Sequence, residues 1–421
     1  MKNLLVLFAV LALQSALPCT SASAQSFRPA ASASFSGTAS SSANASSLGT
    51  PAQWAADKSL KLSERMAAAT MVRYDSLLLY NAKWTYDAAL LARSVYEVSQ
   101  RTGNPAFRAY FTRYMDSFIL PDGRVPKYQK QAYNLDLVQP GRNVLILYKA
   151  TGAEKYRKVI LDLVDQMRGQ PRNAAGGFWH KQIYPNQMWL DGLYMAQPFV
   201  AEYARTFGDT AWFGEIVRQF SLAYEHTLDP KTGLLYHAWD QSREQRWSNP
   251  LTGQSPHFWS RAMGWYMMGL VDVLDHFPAG HPGRARLTEI LNKVSVALLK
   301  VRDKESGLWY QVTNLGGREG NYLEASGSLM FAYTFAKGAR LGYLDPSFRD
   351  VAASTFAGAV KHLIKENEQG IPDLYFTCGG CGLGGNPYRD GSYEYYITEK
   401  VVTNDSKGVA PFILTALELD L

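Results

Sequence analysis

Cysteine is scarce: the 421 residues contain three, at positions 19, 378 and 381. So few thiols cannot frame a disulfide-stapled fold, and they fall short of the four ligands of a closed zinc site. Cys378 and Cys381 sit in the Gly-rich stretch CGGCGLGGNPYRDG, not at a helix start beside a strand, so no redox chemistry is assigned to them. A small local disulfide and two free thiols both remain open. Beyond the first two dozen residues no run of ~18 uninterrupted apolar residues occurs, so no transmembrane segment is expected. Neither sign of charge dominates. Forty-three Lys and Arg face thirty-seven Asp and Glu, for a net charge of +6 without a basic block, which argues against nucleic acid as partner. Also missing are G-x-x-x-x-G-K-[ST], H-E-x-x-H, G-x-S-x-G and a dinucleotide fingerprint after a strand. The seven His residues are scattered without ligand spacing. Phosphate transfer, zinc hydrolysis and serine-hydrolase chemistry drop out.

What is present begins with a leader. Lys2, the apolar run 4–13 and the small-residue site Ala22-Ser23-Ala24 read residues 1–24 as a secretory signal peptide. The mature protein is expected to be exported, periplasmic or extracellular; Pro18 before Cys19 fits poorly with lipoprotein processing. Residues 25–51 are almost all Ser, Ala and Gly, a low-complexity linker with too little apolar surface to fold. The folded, catalytic unit is expected to span 52–421.

That unit has helical periodicity almost throughout. The apolar spacing predicts helices over 59–74, 84–100, 105–119, 144–150, 156–167, 193–206, 211–226, 259–276, 285–301, 325–341, 348–364 and 408–417. Gly-containing punctuation recurs at Thr102-Gly103-Asn104-Pro105, Thr151-Gly152, Phe207-Gly208-Asp209 and Leu341-Gly342, as expected of helix C-caps in a repeated helix pair. The alternate connections, 122–134, 169–189, 229–258, 307–322 and 366–404, are long and carry aromatics and charges. Short turns at one end and long decorated loops at the other describe an all-α, (α/α)6 barrel with one functional face. An open α-solenoid is the alternative.

The chemistry left to such a face is carboxylates among aromatics, which make up 13% of the chain. Asp191 lies in GGFWHKQIYPNQMWLDGLYM with His180 and Trp189, and Asp136 lies in YNLDLVQPGR. An apolar surround disfavours the ionised carboxyl, and a carboxyl that keeps its proton near neutrality is what a general acid needs. Each Asp could equally cap a helix. In HFWSRAMGW, Trp259, Arg261 and Trp265 fall near a helix start, where Arg261 could grip a carboxylate while the Trp rings stack on a sugar; a core stripe with a surface Arg is the plainer reading. His237 lies in another long loop, and Tyr86 opens a helix in Trp84-Thr85-Tyr86-Asp87. The stretch 386–396, NPYRDGSYEYY, reads as an ordered wall or lid.

These motifs, with the C-terminal GLGGNPYRDGSYEYY, resemble the unsaturated rhamnogalacturonyl hydrolases of glycoside hydrolase family 105. The likeness runs from about residue 55 to the C-terminus; the C-x-x-C is not part of it. It implies the (α/α)6 barrel and an unusual reaction that requires no metal or organic cofactor, removal of a Δ4,5-unsaturated uronic acid from the non-reducing end of an oligosaccharide by hydration of its C4=C5 enol ether. By position, Asp191 takes the place of the acid/base and Asp136 that of the second acidic residue. His180, Trp189, Trp259, Arg261 and Trp265 fall where the family lines its pocket, with His237 and Tyr86 beside them. The same chemistry on an unsaturated glucuronyl group, an ordinary inverting glycosidase and a non-catalytic sugar binder are the other readings. No feature sets an oligomeric state.

Overall fold

Twelve long helices build the part of the chain that the computed structural model describes, residues 49–421. The leader and most of the linker expected over 1–51 lie outside the described residues. In chain order the helices are α1 (Pro51–Ala56), α2 (Leu62–Arg73), α3 (Leu77–Tyr80), α4 (Tyr86–Thr102), α5 (Pro105–Asp116), α6 (Gly141–Thr151), α7 (Glu154–Gly169), α8 (Leu190–Phe207), α9 (Ala211–Thr227), α10 (Ser260–Leu274), α11 (Gly283–Lys300), α12 (Ala325–Arg340), α13 (Phe348–Leu363), α14 (Tyr393–Thr398) and α15 (Ser406–Leu419). Only α1, α3 and α14, all short, fall outside the twelve periodic stretches. Pro51 opens α1, with Thr50 capping it in a capping box.

The helices pair into an inner and an outer ring, the (α/α)6 toroid. Helices α4, α6, α8, α10, α12 and α15 form the inner ring, and α15 closes it by packing on α4. Each has an outer partner: α5, α7, α9, α11, α13 and, for α15, the N-terminal α2. Burial follows this order. Every residue of α10 is buried, as is nearly all of α8 and α12, because an inner helix is surrounded by neighbours and must be apolar all round. The outer helices bury a single stripe.

The five partners consecutive in the chain, from α4 with α5 to α12 with α13, are joined by short turns at one end. There Gly103 and Gly208 adopt the left-handed conformation, with φ of 72° and 77°, that lets the chain leave a helix and re-enter the next. All six inner helices therefore start at the opposite end, where the long loops lie. The loops are stitched by backbone pairing that helical periodicity does not anticipate. Strand β1 (Gln187–Trp189) runs antiparallel to β2 (Ala238–Asp240), and β3 (Ile364–Glu366) to β4 (Pro372–Leu374). A third pair, β5 (Thr377–Cys378) with β6 (Val401–Val402), holds the C-x-x-C segment, whose sulfurs are free thiols 3.5 Å apart. Among the described residues, no helix is long and apolar enough to cross a membrane.

The short-turn end holds a buried ion network. Asp272 accepts from Arg142 at 2.8 Å, Lys337 at 2.7 Å and the Tyr333 hydroxyl at 2.8 Å. A cavity of about 550 Å³ opens beside it. Its charges are largely neutralised by one another, Arg340 pairing with Glu418 and Lys337 with Asp275 and Asp272. The reactive groups lie at the other end.

Candidate active site

Three loops meet through their backbones at the head of α8. The Leu190 N–H donates to the His237 carbonyl at 3.1 Å, which starts α8 three residues before the predicted 193 and puts Asp191 in its first turn. The His180 N–H donates to the Gln187 carbonyl at 3.0 Å, and the His180 carbonyl accepts from the Leu135 N–H at 3.1 Å. His180, Asp191, His237 and the 3₁₀ turn Leu135–Leu137 carrying Asp136 are thereby drawn together. Neither carboxylate acts as a helix cap. Asn134 caps the turn of Asp136, and no side chain caps α8.

Asp136 is held by Lys181, whose Nζ lies 2.7 Å from Oδ2, while His180 Nε2 lies 3.5 Å from Oδ1. Burial alone would raise the Asp136 pKa, but Lys181 foremost and then His180 outweigh it and hold the carboxyl below its ordinary range. Burial in turn lowers His180 to about 4, so its imidazole is neutral at pH 7 and Lys181 carries the neutralising charge. The His180 ring stacks on Trp189 at 4.8 Å and 7°, and Tyr184 covers Trp189 at 4.8 Å and 17°.

Asp191 has a different neighbour. Its Oδ2 lies 3.3 Å from His237 Nε2, face to face but without the alignment of a hydrogen bond in this state. His237 is completely buried, and its Nδ1 is 2.8 Å from the Tyr396 hydroxyl. Its ring sits between Trp259 at 4.8 Å and Trp189 at 5.5 Å. Tyr86, first residue of α4, lies near both Asp136 and Asp191; burial first, then the Asp136 carboxylate, push its hydroxyl well above the ordinary value, so it stays protonated. Its ring meets Trp265 edge-on at 5.8 Å, and Trp265 stacks on Tyr194 at 4.9 Å, which makes Trp265 part of the floor.

Arg261 does not extend toward an open face. It is 1% exposed, lies under Trp259 with its guanidinium carbon 4.7 Å from the ring, and donates Nη1 to the Cys378 carbonyl and to Ser326 Oγ. The α10 periodicity correctly set Arg261 at the loop end, but its partner here is the backbone of the late loop. Lys181, Tyr396 and Gln311 escaped sequence reasoning. Lys181 was discoverable as the neighbour of His180. Tyr396 was one of four Tyr in NPYRDGSYEYY and nothing local singled it out. Gln311 accepts from Trp259 Nε1 at 3.0 Å and donates to the Tyr396 carbonyl at 3.0 Å, a tie that only the tertiary fold reveals.

A face with two carboxylates in unlike surroundings, walled by Trp and Tyr, is suited to work on a sugar. Comparison with known proteins agrees. The family described as Glycosyl Hydrolase Family 88 matches residues 62–420. A solved glycoside hydrolase from family 105 of C. acetobutylicum ATCC 824 is 43% identical, with a TM-score of 0.83 over 86% of this chain and 99% of that one. Protein Atu3128 of Agrobacterium fabrum is 40% identical over 230 residues, covering 53% of this chain and 97% of that protein. The unsaturated rhamnogalacturonyl hydrolase YesR of Bacillus subtilis is 27% identical over 264 residues, covering 61% of this chain and 72% of YesR. The chain is a glycoside hydrolase, and within the grouping described as Glycosyl Hydrolase Family 88 it belongs to family 105.

Proposed function

We propose that this hydrolase releases the Δ4,5-unsaturated galacturonic acid from the non-reducing end of unsaturated rhamnogalacturonan oligosaccharides, by hydration of the C4=C5 enol ether, with Asp191 as general acid and base. The observation that carries the division of labour is the unlike pairing of the two carboxylates. Asp136 is committed to the anion by Lys181 at 2.7 Å and is a poor proton donor near neutrality. Among the described residues, the basic group within ion-pair distance of Asp191 is the His237 imidazole alone. Asp191 is therefore the carboxyl that delivers a proton.

The steps follow. The Asp191 carboxyl gives its proton to C4, and positive charge develops at C5 and the ring oxygen. Water attacks C5 and surrenders a proton to the Asp191 carboxylate, restoring it. The hemiketal so formed at C5 opens, the aglycone departs from C1, and one water has been consumed. Protonating carbon is slow unless the acid is held dry and aimed, which the walls of Trp189, Trp259 and His237 serve. Asp136 and Lys181 bind and orient the sugar. The choice of rhamnogalacturonan rests on the likeness to YesR and on the R-A-M-G-W form around Arg261. Export by way of residues 1–24 is part of the same proposal and fits a substrate made by extracellular lyases.

The test follows the ultraviolet absorbance of the conjugated enol ether in lyase-digested rhamnogalacturonan. Wild type should erase it, and Asp191→Asn should be slower by about 10²–10⁴-fold. Full activity in Asp191→Asn would remove Asp191 from the role. Consumption of a different unsaturated uronide alone would keep the chemistry and replace the sugar.

A further inference from the structure

We infer that Tyr396 is a positioning residue for this reaction: its hydroxyl selects the His237 tautomer that presents Nε2–H to Asp191. The inference rests on the proposed role of Asp191.

The argument starts from hydrogen-bond accounting. A neutral imidazole has one donor and one acceptor nitrogen, whereas a hydroxyl both donates and accepts. Both rings are fully buried, and among the described residues the Tyr396 hydroxyl has one hydrogen-bond partner, His237 Nδ1 at 2.8 Å. If Nδ1 carried the hydrogen, it would donate to the tyrosine oxygen and leave the hydroxyl hydrogen with no acceptor in a dry site. That arrangement strands a buried donor. If Tyr396 donates to Nδ1 instead, the hydroxyl hydrogen has its acceptor, the ring hydrogen must sit on Nε2, and the one donor left to pair is an Nε2–H turned toward a carboxylate. Nε2 is the atom that faces Asp191 Oδ2, at 3.3 Å. A hydrogen there stabilises the Asp191 carboxylate that remains once the proton has gone to C4, and it leaves the other oxygen of Asp191 to handle protons. Burial first, then the neighbouring thiols, Tyr395 and Asp191, hold the Tyr396 hydroxyl well above its ordinary range, so it keeps the proton it must donate.

The hydroxyl is also fixed in place. The Tyr396 N–H donates to the Ser392 carbonyl at 3.2 Å, and the Tyr396 carbonyl accepts from Gln311 Nε2 at 3.0 Å. Gln311 in turn accepts from Trp259 Nε1 at 3.0 Å, so the late loop, the α12-proximal loop and the head of α10 are registered on one another around His237. Tyr396→Phe removes one oxygen and leaves the ring's packing against His237 and Trp259 in place.

Two measurements test this on the full chain. The first is the two-bond ¹H–¹⁵N spectrum of protein labelled at His, with the His237 signals assigned by their loss in His237→Gln. Wild type should show a hydrogen-bonded, unprotonated Nδ1 and a protonated Nε2, and Tyr396→Phe should lose the Nδ1 signature. This readout needs no substrate, so it stands apart from the proposed reaction. The second is the split of kcat from KM on the unsaturated substrate. Tyr396→Phe should lower kcat by roughly tenfold, the value of one hydrogen bond at the barrier, with KM within about twofold. A protonated Nδ1 in wild type, an unchanged kcat in Tyr396→Phe, or a loss carried equally by KM and melting temperature would each overturn the assignment. Undiminished turnover by Asp191→Asn would instead sink the reading of Asp191, whatever the tautomer.

Discussion

Replacing Lys181 by Met removes the cation from a carboxylate that cannot leave. Lys181 Nζ and Asp136 Oδ2 are 2.7 Å apart, and the side chains are 23% and 13% exposed. At that distance and an effective dielectric constant of about 20 the attraction is about 6 kcal/mol. Desolvation of both charges takes back a large part, and breaking a fully buried pair costs about 3–5 kcal/mol. With Lys181 partly in solvent, we place the loss at about 2–3 kcal/mol at pH 7. The pH dependence identifies the cause. In wild type the Asp136 pKa lies below its ordinary 3.8, so its contribution is intact at neutral pH and is lost only as pH falls through that lowered value. In Lys181→Met burial acts without its main counterweight, and the carboxyl pKa rises above the ordinary value. Below the new pKa the carboxyl takes up a proton, and each further pH unit removes about 1.4 kcal/mol of the difference from wild type. Urea titrations at pH 7 and at mildly acidic pH should thus show the gap narrowing as acid is added. The Asp136→Asn/Lys181→Met double variant should recover most of the loss, since neither charge is then stranded. A gap that stays constant with pH, or a variant as stable as wild type at pH 7, would refute the reasoning.

Two further predictions concern the scaffold. A Cβ at Gly327 of α12 would lie 2.9 Å from the Ser260 carbonyl carbon and 3.1 Å from the Arg261 nitrogen, backbone atoms that do not move cheaply. Gly327→Ala should cost about 1–3 kcal/mol in urea and raise KM by tilting the head of α10; native stability and KM together would show that the helices have slack. Asp272→Asn should cost about 3–5 kcal/mol at neutral pH by stranding Arg142 and Lys337, while the folded fraction keeps native kcat. Burial opposes the Asp272 anion, but Lys337 and Arg142 hold its pKa far below the ordinary value, so the wild-type benefit persists well into acid. A loss under about 1 kcal/mol would mean that Asp275 and solvent replace the missing charge.

The sequence exposed what depends on near neighbours along the chain. Helical periodicity marked all twelve ring helices, and the glycines after α4, α6 and α8 announced the short-turn end, because a left-handed C-cap is a local demand. The aromatic run around Asp191 was visible for the same reason. Contacts between distant segments were not. His237 and Tyr396 are 159 residues apart, and Trp259 and Gln311 are 52 apart. No spacing rule links them, so Tyr396 and Gln311 stayed anonymous among other polar and aromatic residues. The early start of α8 has the same origin, a bond from Leu190 to a carbonyl in another loop. The sequence placed Arg261 at the correct end of α10 but not its partner, since a guanidinium accepts any well-placed oxygen and here the Cys378 carbonyl supplies it.

The common direction of the inner helices has an electrostatic consequence. Peptide dipoles add along each helix to roughly half a positive charge at its first turn. Six such ends converge on the loop-bearing mouth, among them those of α4, α8 and α10 that carry Tyr86, Asp191 and Arg261. The mouth therefore holds a positive bias that belongs to the backbone, and no side-chain substitution can delete it without unmaking the toroid. Part of the attraction for the proposed acidic sugar would thus be carried by the scaffold itself. The loops above remain free to change their side chains, and with them the choice of sugar, while that pull on an anion persists.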